Sequence, residues 1–158
     1  MHRDPGPVPP QPLGDPAPDS PAVVLVHAGS YGSFSRRALD EEATARAGVA
    51  RPLREAAAEF TDPGHPHGCL VIQAATNCTT PEVEDALRRQ RNADITAIES
   101  RMKADVAGGE LPPDTDAAVL ARHAGAVFQG MSQQARDGAS RAELQALAEI
   151  AMAICPRR

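Results

Sequence analysis

The fold of this chain is decided by residues 110–144, ELPPDTDAAVLARHAGAVFQGMSQQARDGASRAEL. Apolar residues recur at helical spacing from about Asp116 to Asp137, and Gly138 ends the pattern. The inward positions of this helix are Leu120, Val127, Phe128 and Met131. Ser140 and Glu143 then form a capping-box pattern that begins another helix. That helix is apolar on more than one face, which a surface helix of a monomer does not need.

A second informative stretch is residues 60–77, FTDPGHPHGCLVIQAATN. Its first half, TDPGHPHG, is a turn cluster. The unbroken apolar run from Cys69 to Asn77 suits a short helix, but its β-branched residues also allow a strand. The helical segments on both sides favour a helix.

Three further helices are predicted from caps and periodicity. The first spans Ser33 to Ala47 with Gly48 near its end, and the second spans Val49 to Phe60 with Pro52 in its first turn. The longest begins at Thr80 and is ended by the pair Gly108 and Gly109. Its buried stripe comprises Val83, Leu87, Ile95, Ile98, Met102 and Val106. With the segments above, the chain is predicted to contain about six helices.

Composition agrees with an all-α domain. The 158 residues are 42% hydrophobic but only 3% aromatic, a balance that suits helices better than half-buried strands. The net charge of −5 gives no bulk attraction for phosphates, and Arg88, Arg89 and Arg91 are interpreted as a solvated face. Three cysteines without a CxxC pair fit reduced thiols. With no signal peptide or membrane span predicted, we expect a cytoplasmic protein.

Residues 1–29 form a proline-rich leader, with eight prolines among the first 21 residues. Each proline removes a backbone donor, so we expect disorder or polyproline II structure there. A PxxP-type ligand for a partner protein is the alternative. The domain boundaries are therefore predicted as a leader at 1–29 and one helical domain at 30–156.

The chain resembles the ligand-binding and dimerisation half of TetR/AcrR transcriptional regulators. The resemblance is specific in residues 61–78 and 129–143 and covers about 30–154. Those regulators often carry Tyr-x-x-Phe-x-x-Lys-x-x-Leu where the helix-turn-helix meets the sensor. Here Tyr31, Phe34 and Arg37 match the first three places, whereas Asp40 stands at the fourth and Leu39 is one residue early. The proline-rich leader stands where the helix-turn-helix is expected. This DNA-binding domain, the reader domain, is therefore predicted to be missing or degraded.

The resemblance implies an all-helical sensor that dimerises through its last two helices. Ala126 and Gly130 lie four residues apart, and small residues allow helices to approach closely. The predicted dimerisation residues are Ala126, Gly130, Leu144, Leu147 and Ala151. The alternative is that the small residues only accommodate packing within one monomer.

The resemblance also implies a small, largely apolar effector in the interior. Cys69, Gln73 and Asn77 share one face if their segment is helical. Buried amides need partners, and either a ligand cavity or neighbouring helix ends and solvent can supply them. The predicted ligand-binding residues are Cys69, Gln73, Asn77, Met102, Phe128 and Met131.

Metal and enzyme interpretations have little support. His65, His67 and Cys69 alternate, but only His123 and Cys78 are available as distant further ligands, so we predict no metal and no cofactor. No phosphate-binding loop or nucleophile elbow is present in the sequence.

Two functions remain open from the sequence. The first is a ligand-responsive regulator that forms a homodimer and binds DNA only if a reader domain is supplied. The second is a non-DNA-binding sensor or a module that heterodimerises with an intact paralogue.

Overall fold

The structure is a computed structural model that describes residues 33–77 and 80–157. These residues form six helices and no strand, which confirms the all-α prediction. The helices are α1 (Ser33–Glu41), α2 (Ala45–Glu59), α3 (Leu70–Asn77), α4 (Pro81–Gly108), α5 (Ala117–Arg136) and α6 (Arg141–Ala153). The predicted disordered leader and the Tyr31 position lie outside the described residues. Within the described part of the chain, none of the helices is long and apolar enough to cross a bilayer.

Several helix ends lie where their capping residues predict. Pro81 starts α4, and Gly109 follows its end with φ of 78°, a left-handed conformation that glycine adopts without strain. At α6, the Ser140 hydroxyl accepts a bond from the Glu143 backbone N–H, and the Glu143 carboxylate accepts one from the Ser140 N–H. The capping box is therefore present, since each residue satisfies a donor of the other.

The boundary between α1 and α2 differs from the prediction. The chain breaks at residues 42–44 rather than at Gly48, which is buried inside α2. Thr44 caps α2 by accepting from the Ala47 N–H (3.2 Å), and the Asp105 carboxylate accepts from the Ala45 N–H (2.6 Å). A β-carbon on Gly48 would lie 3.2 Å from a backbone carbon of α1. Gly48 therefore serves the close packing of α1 on α2 and does not end a helix.

Arg101 of α4 fixes the other side of this break. Its guanidinium donates to the backbone oxygens of Leu39 (2.9 Å), Glu42 (3.0 Å) and Ala43 (2.7 Å), and it pairs with Asp105 at 3.2 Å. Leu39 lies in the last turn of α1, where helical carbonyls lack partners of their own, and Glu42 and Ala43 lie in the break that follows. The Arg101–Asp105 pair therefore attaches the α1–α2 turn to α4.

The main core lies between α2, α4, α5 and α6. Its largest fully buried side chains include Leu53, Met102, Met131 and Leu144, each at most 2% exposed. Burying side chains of this size contributes about 1.5–3 kcal/mol each. A smaller cluster of Val71, Val83 and Leu87 packs α3 on α4. The apolar run from Cys69 to Asn77 therefore contains a helix, as its helical flanks favoured.

Candidate effector cavity

A cavity of about 340 Å³ opens between the first five helices and the turn at residues 61–69. Its walls are predominantly apolar and include Leu39, Val49, Phe60, Ile95, Ile98 and Phe128. The rings of Phe60 and Phe128 meet edge to face with centroids 6.0 Å apart. A concave apolar space of this size suits a small organic molecule.

The turn over the cavity is held in place by α5. Gly68 has φ of 87°, and a β-carbon there would lie 2.7 Å from the backbone oxygen of Ser132. The fully buried Ser132 hydroxyl accepts a bond of 2.8 Å from the Cys69 backbone N–H. Both the backbone conformation and the lack of space therefore require glycine at position 68.

Gln73 of α3 completes this attachment. Its amide nitrogen donates to the His67 backbone oxygen (3.1 Å), and its amide oxygen accepts from Arg136 of α5 (2.8 Å). Gln73 also lines the cavity. The amide is therefore bonded to a neighbouring turn and helix, the second of the two arrangements considered from the sequence, while it remains beside the apolar space.

Asp94 is the carboxylate that α4 places on the cavity wall. Its Oδ1 accepts a bond of 3.0 Å from the Gln90 amide and lies 3.8 Å from the guanidinium of Arg36. Burial raises the pKa of Asp94, and the Gln90 bond and the Arg36 charge oppose that rise. The cavity therefore contains a partly desolvated acid with one well-placed hydrogen-bond partner.

Cys69 faces the same surroundings. Burial raises the pKa of its thiol, and the nearby carboxylates of Asp94 and Glu59 add to the rise. Glu59 lies 3.2 Å from the His65 imidazole. Among residues 33–77 and 80–157, no group of three or more His, Cys, Asp or Glu side chains is arranged to hold a metal ion.

The predicted ligand-binding residues are only partly brought together. Cys69, Gln73 and Phe128 line the cavity, and the Asn77 side chain lies outside the described residues. Met102 and Met131 do not line it, because both are packed in the main core at 2% and 0% exposure. They are corrected from cavity residues to core residues.

Sequence reasoning missed the polar side of the cavity on α4. Arg91 was interpreted as part of a solvated face, yet it is half-buried, lines the cavity and donates to the Val71 backbone oxygen at 3.3 Å. Burial lowers the pKa of Arg91. The signal was available, since Arg91 and Asp94 lie at helical spacing from Ile95 and Ile98.

The outward side of α5 and α6 carries a second apolar surface, called here the α5–α6 face. It is formed by the exposed residues Val119, Ala126, Gly130, Ala146, Ile150 and Ile154. Ile150 is 69% exposed, and a β-carbon on Gly130 would meet no atom within 4 Å. Leu144 and Ala151 are instead buried in the monomer's own core, and Leu147 is half-buried against it. The predicted dimerisation set stays a prediction, and within one chain its α6 members contribute to the core or lie against it.

The chain belongs to the TetR family: residues 48–151 match the tetracyclin repressor-like C-terminal domain. It is 30% identical over 102 residues to the HTH-type transcriptional repressor ComR of Escherichia coli K12. That match covers 61% of this chain and 47% of ComR, so the chain spans about half the length of this curated relative.

Solved structures of the family share the fold. A cysteine mutant of the TetR family regulator CifR, in complex with 26-base-pair operator DNA, superposes with a TM-score of 0.77 at 39% identity. The likeness covers 84% of this chain and 70% of that one. A putative TetR regulator from Rhodococcus sp. RHA1 gives a TM-score of 0.71 at 28% identity, covering 88% and 83%.

Proposed function

We propose that this chain is the effector-binding and dimerising part of a TetR-type transcriptional regulator, and that it has no enzymatic role. The observation that carries the proposal is the 340 Å³ cavity, whose apolar walls hold a few polar side chains. Sites for small molecules usually have this composition. The effector is accordingly small and largely apolar, and Cys69, Gln73 and Phe128 contact it. The cytoplasmic location stays a prediction from the sequence.

A cavity-filling substitution tests effector binding. Ala97 of α4 lines the cavity, whereas Ala93, one turn earlier on the same helix, is exposed outside it. We expect Ala97→Phe to abolish the thermal stabilisation that an apolar compound gives the wild type, because the new ring takes its place. Ala93→Phe adds the same ring at the surface and should leave the stabilisation unchanged. Equal responses of both variants would place the binding site elsewhere.

We also propose that two copies associate through the α5–α6 face. Val119, Ile150 and Ile154 are exposed, and so are Ala126 and Gly130, whose small size lets helices approach closely. An exposed apolar surface of this kind is stabilised when it is covered. A symmetric dimer places the same face of both copies in contact.

The dimer is tested by sedimentation at micromolar concentration. Gly130→Arg and Ile150→Asp each put a charge into the proposed contact, so both should shift the protein to monomer. Ala104→Arg, at an exposed position of α4, is the matched control and should leave the dimer intact. A wild type that sediments as a monomer would contradict the proposal.

DNA binding is proposed to depend on a reader domain outside the described residues. Support comes from the net charge of −5 and from the described helices, which supply the cavity and the α5–α6 face. In a mobility-shift assay the 158-residue polypeptide should show no sequence-selective binding at physiological salt. Nanomolar selective binding would refute this.

The second candidate function is a non-DNA-binding sensor that heterodimerises with an intact paralogue through the α5–α6 face. The α5–α6 face would serve a homodimer or a heterodimer. Mixing the chain with a DNA-binding relative distinguishes these two assemblies. Loss of the relative's operator binding upon mixing would favour the heterodimer.

A further inference from the structure

We propose that the effector carries a positively charged nitrogen, and that the Asp94 carboxylate on the cavity wall binds it. This inference rests on the proposed function, because it names the chemistry of the molecule that the cavity accepts. The class is an amphipathic amine: an apolar body for the Phe60 and Phe128 side, and one cationic group for α4.

The first argument is the unused hydrogen-bonding capacity of Asp94. Its Oδ1 receives Gln90 at 3.0 Å and has Arg36 at 3.8 Å. No described residue donates a hydrogen bond to Oδ2. A carboxylate accepts several bonds, and those from charged donors are the strongest. The Asp94 side chain is 37% exposed, so water reaches it, and an ammonium group in the cavity would replace that water with a charged donor.

The second argument is the sign of the charge inside the cavity. Burial is the largest cause of the raised pKa of the Cys69 thiol, and the carboxylates of Asp94 and Glu59 raise that pKa further. Both acids line the cavity close enough to act on Cys69. A cation placed beside Cys69 is therefore attracted by two carboxylates.

The positively charged side chains of the cavity lining are either largely exposed to water or already bonded to other groups. The Arg36 side chain is 60% exposed, so its 3.8 Å pair with Asp94 is weakened by water. His65 lies against Glu59, and Arg91 donates to the Val71 backbone oxygen on the α3 side. An anionic effector held by Arg91 is the competing possibility.

The test uses three probes with one indole body: tryptamine, which is cationic, tryptophol, which is neutral, and indoleacetate, which is anionic. Titration calorimetry on the whole chain measures the Kd of each. We expect tryptamine to bind about tenfold more tightly than tryptophol, and indoleacetate to bind most weakly. Tighter binding of indoleacetate would overturn the proposal in favour of Arg91.

Variants separate a binding role of Asp94 from a structural one. Asp94→Asn should weaken tryptamine about tenfold while changing tryptophol less than about twofold, which also shows that the cavity has kept its shape. Asp85→Asn removes a carboxylate of the same helix outside the cavity lining and should change neither. Arg36→Gln removes the competing cation and should tighten tryptamine.

The failures of the two proposals are distinguishable. If tryptophol binds as tightly as tryptamine in the wild type, the cationic class is wrong and the cavity keeps its proposed role. If all three probes fail to bind up to their solubility limits, the result counts against the effector cavity as well as the inference.

Discussion

The two ends of this helical bundle differ in how completely they are packed. Between α2, α4, α5 and α6, the pocket lined by Leu53 and Met102 has a volume of only about 10 Å³. Around Ile95 and Ile98, four to seven residues earlier on α4, the space is about 340 Å³. Both ends are lined mainly by apolar side chains, so hydrophobicity alone does not distinguish a cavity from a core.

The difference comes from how each end is filled and held. At the closed end, apolar side chains from four helices interlock, and the partly buried Arg101–Asp105 pair fixes the adjacent turn. At the open end, a turn containing proline and glycine replaces a helix, and a few polar bonds from Ser132 and Gln73 position it. Stability is therefore expected to reside at the closed end and binding at the open end.

The largest expected effect is a truncation at the closed end. Leu144 is 1% exposed, so Leu144→Ala should lower the free energy of unfolding by about 4 kcal/mol through lost burial and a new void. Ile98→Ala at the cavity wall should lose about 1 kcal/mol, because its half-buried side chain already borders empty space. Urea unfolding measures both variants. Equal losses would show that the two ends are packed alike.

The next effect concerns the Arg101–Asp105 pair. Asp105→Ala should lower the free energy of unfolding by about 3 kcal/mol, because the Ala45 N–H and the Arg101 guanidinium lose a buried acceptor. Asp105→Asn keeps an acceptor oxygen and should lose less. Chemical denaturation of both variants checks which loses more stability. If Asp105→Ala leaves the free energy of unfolding unchanged, water replaces the carboxylate.

The sequence predicted the elements whose signals are local. The capping box of α6 and the glycine after α4 lie within a few residues of the helix ends that they define. The α1–α2 break was misplaced because part of its cause is the Asp105 carboxylate, 60 residues away from Ala45. The sequence pattern predicted that Gly48 ends a helix. In the structure Gly48 lies inside α2, where it allows close contact with α1.

The candidate site was predicted less well for the same reason. Phe128 was assigned to the cavity and does line it, but Met102 and Met131 have the same inward phase and fill the core instead. A helical wheel distinguishes inside from outside. It does not show at which height along the bundle the interior is empty, so Asp94 was passed over.

A smaller effect is expected at the turn over the cavity. Ser132→Ala removes the acceptor of the Cys69 N–H inside the protein, which should lower the free energy of unfolding by about 2 kcal/mol. Hydrogen exchange should show faster opening of the turn while the core amides exchange at slow rates. Ser132→Thr retains the hydroxyl and serves as the control. Unchanged exchange in the turn would indicate that Gly68 and Gln73 hold it without Ser132.

The smallest expected effect is the pH dependence that Asp94 contributes at the open end. Burial raises its pKa in the folded state above the ordinary value of about 3.9. The folded state therefore binds the proton more tightly than the unfolded state, and stability falls as pH rises through the window between those two pKa values. The charged form is thus a destabilising feature at neutral pH, and it is relieved on acidification.

Asp94→Asn removes this contribution and leaves the other titrating groups in place. Glu143 and Glu149 act in the opposite sense, because bonds from Ser140 and Arg54 lower their pKa values, so their contribution to stability is lost as pH falls. These contributions cancel in the difference between variant and wild type. Urea unfolding from about pH 4 to about pH 7 should show that the variant's stability relative to wild type increases with pH. A difference that is constant with pH would mean that Asp94 is hydrated in the folded state, and that the open end is no drier than the surface.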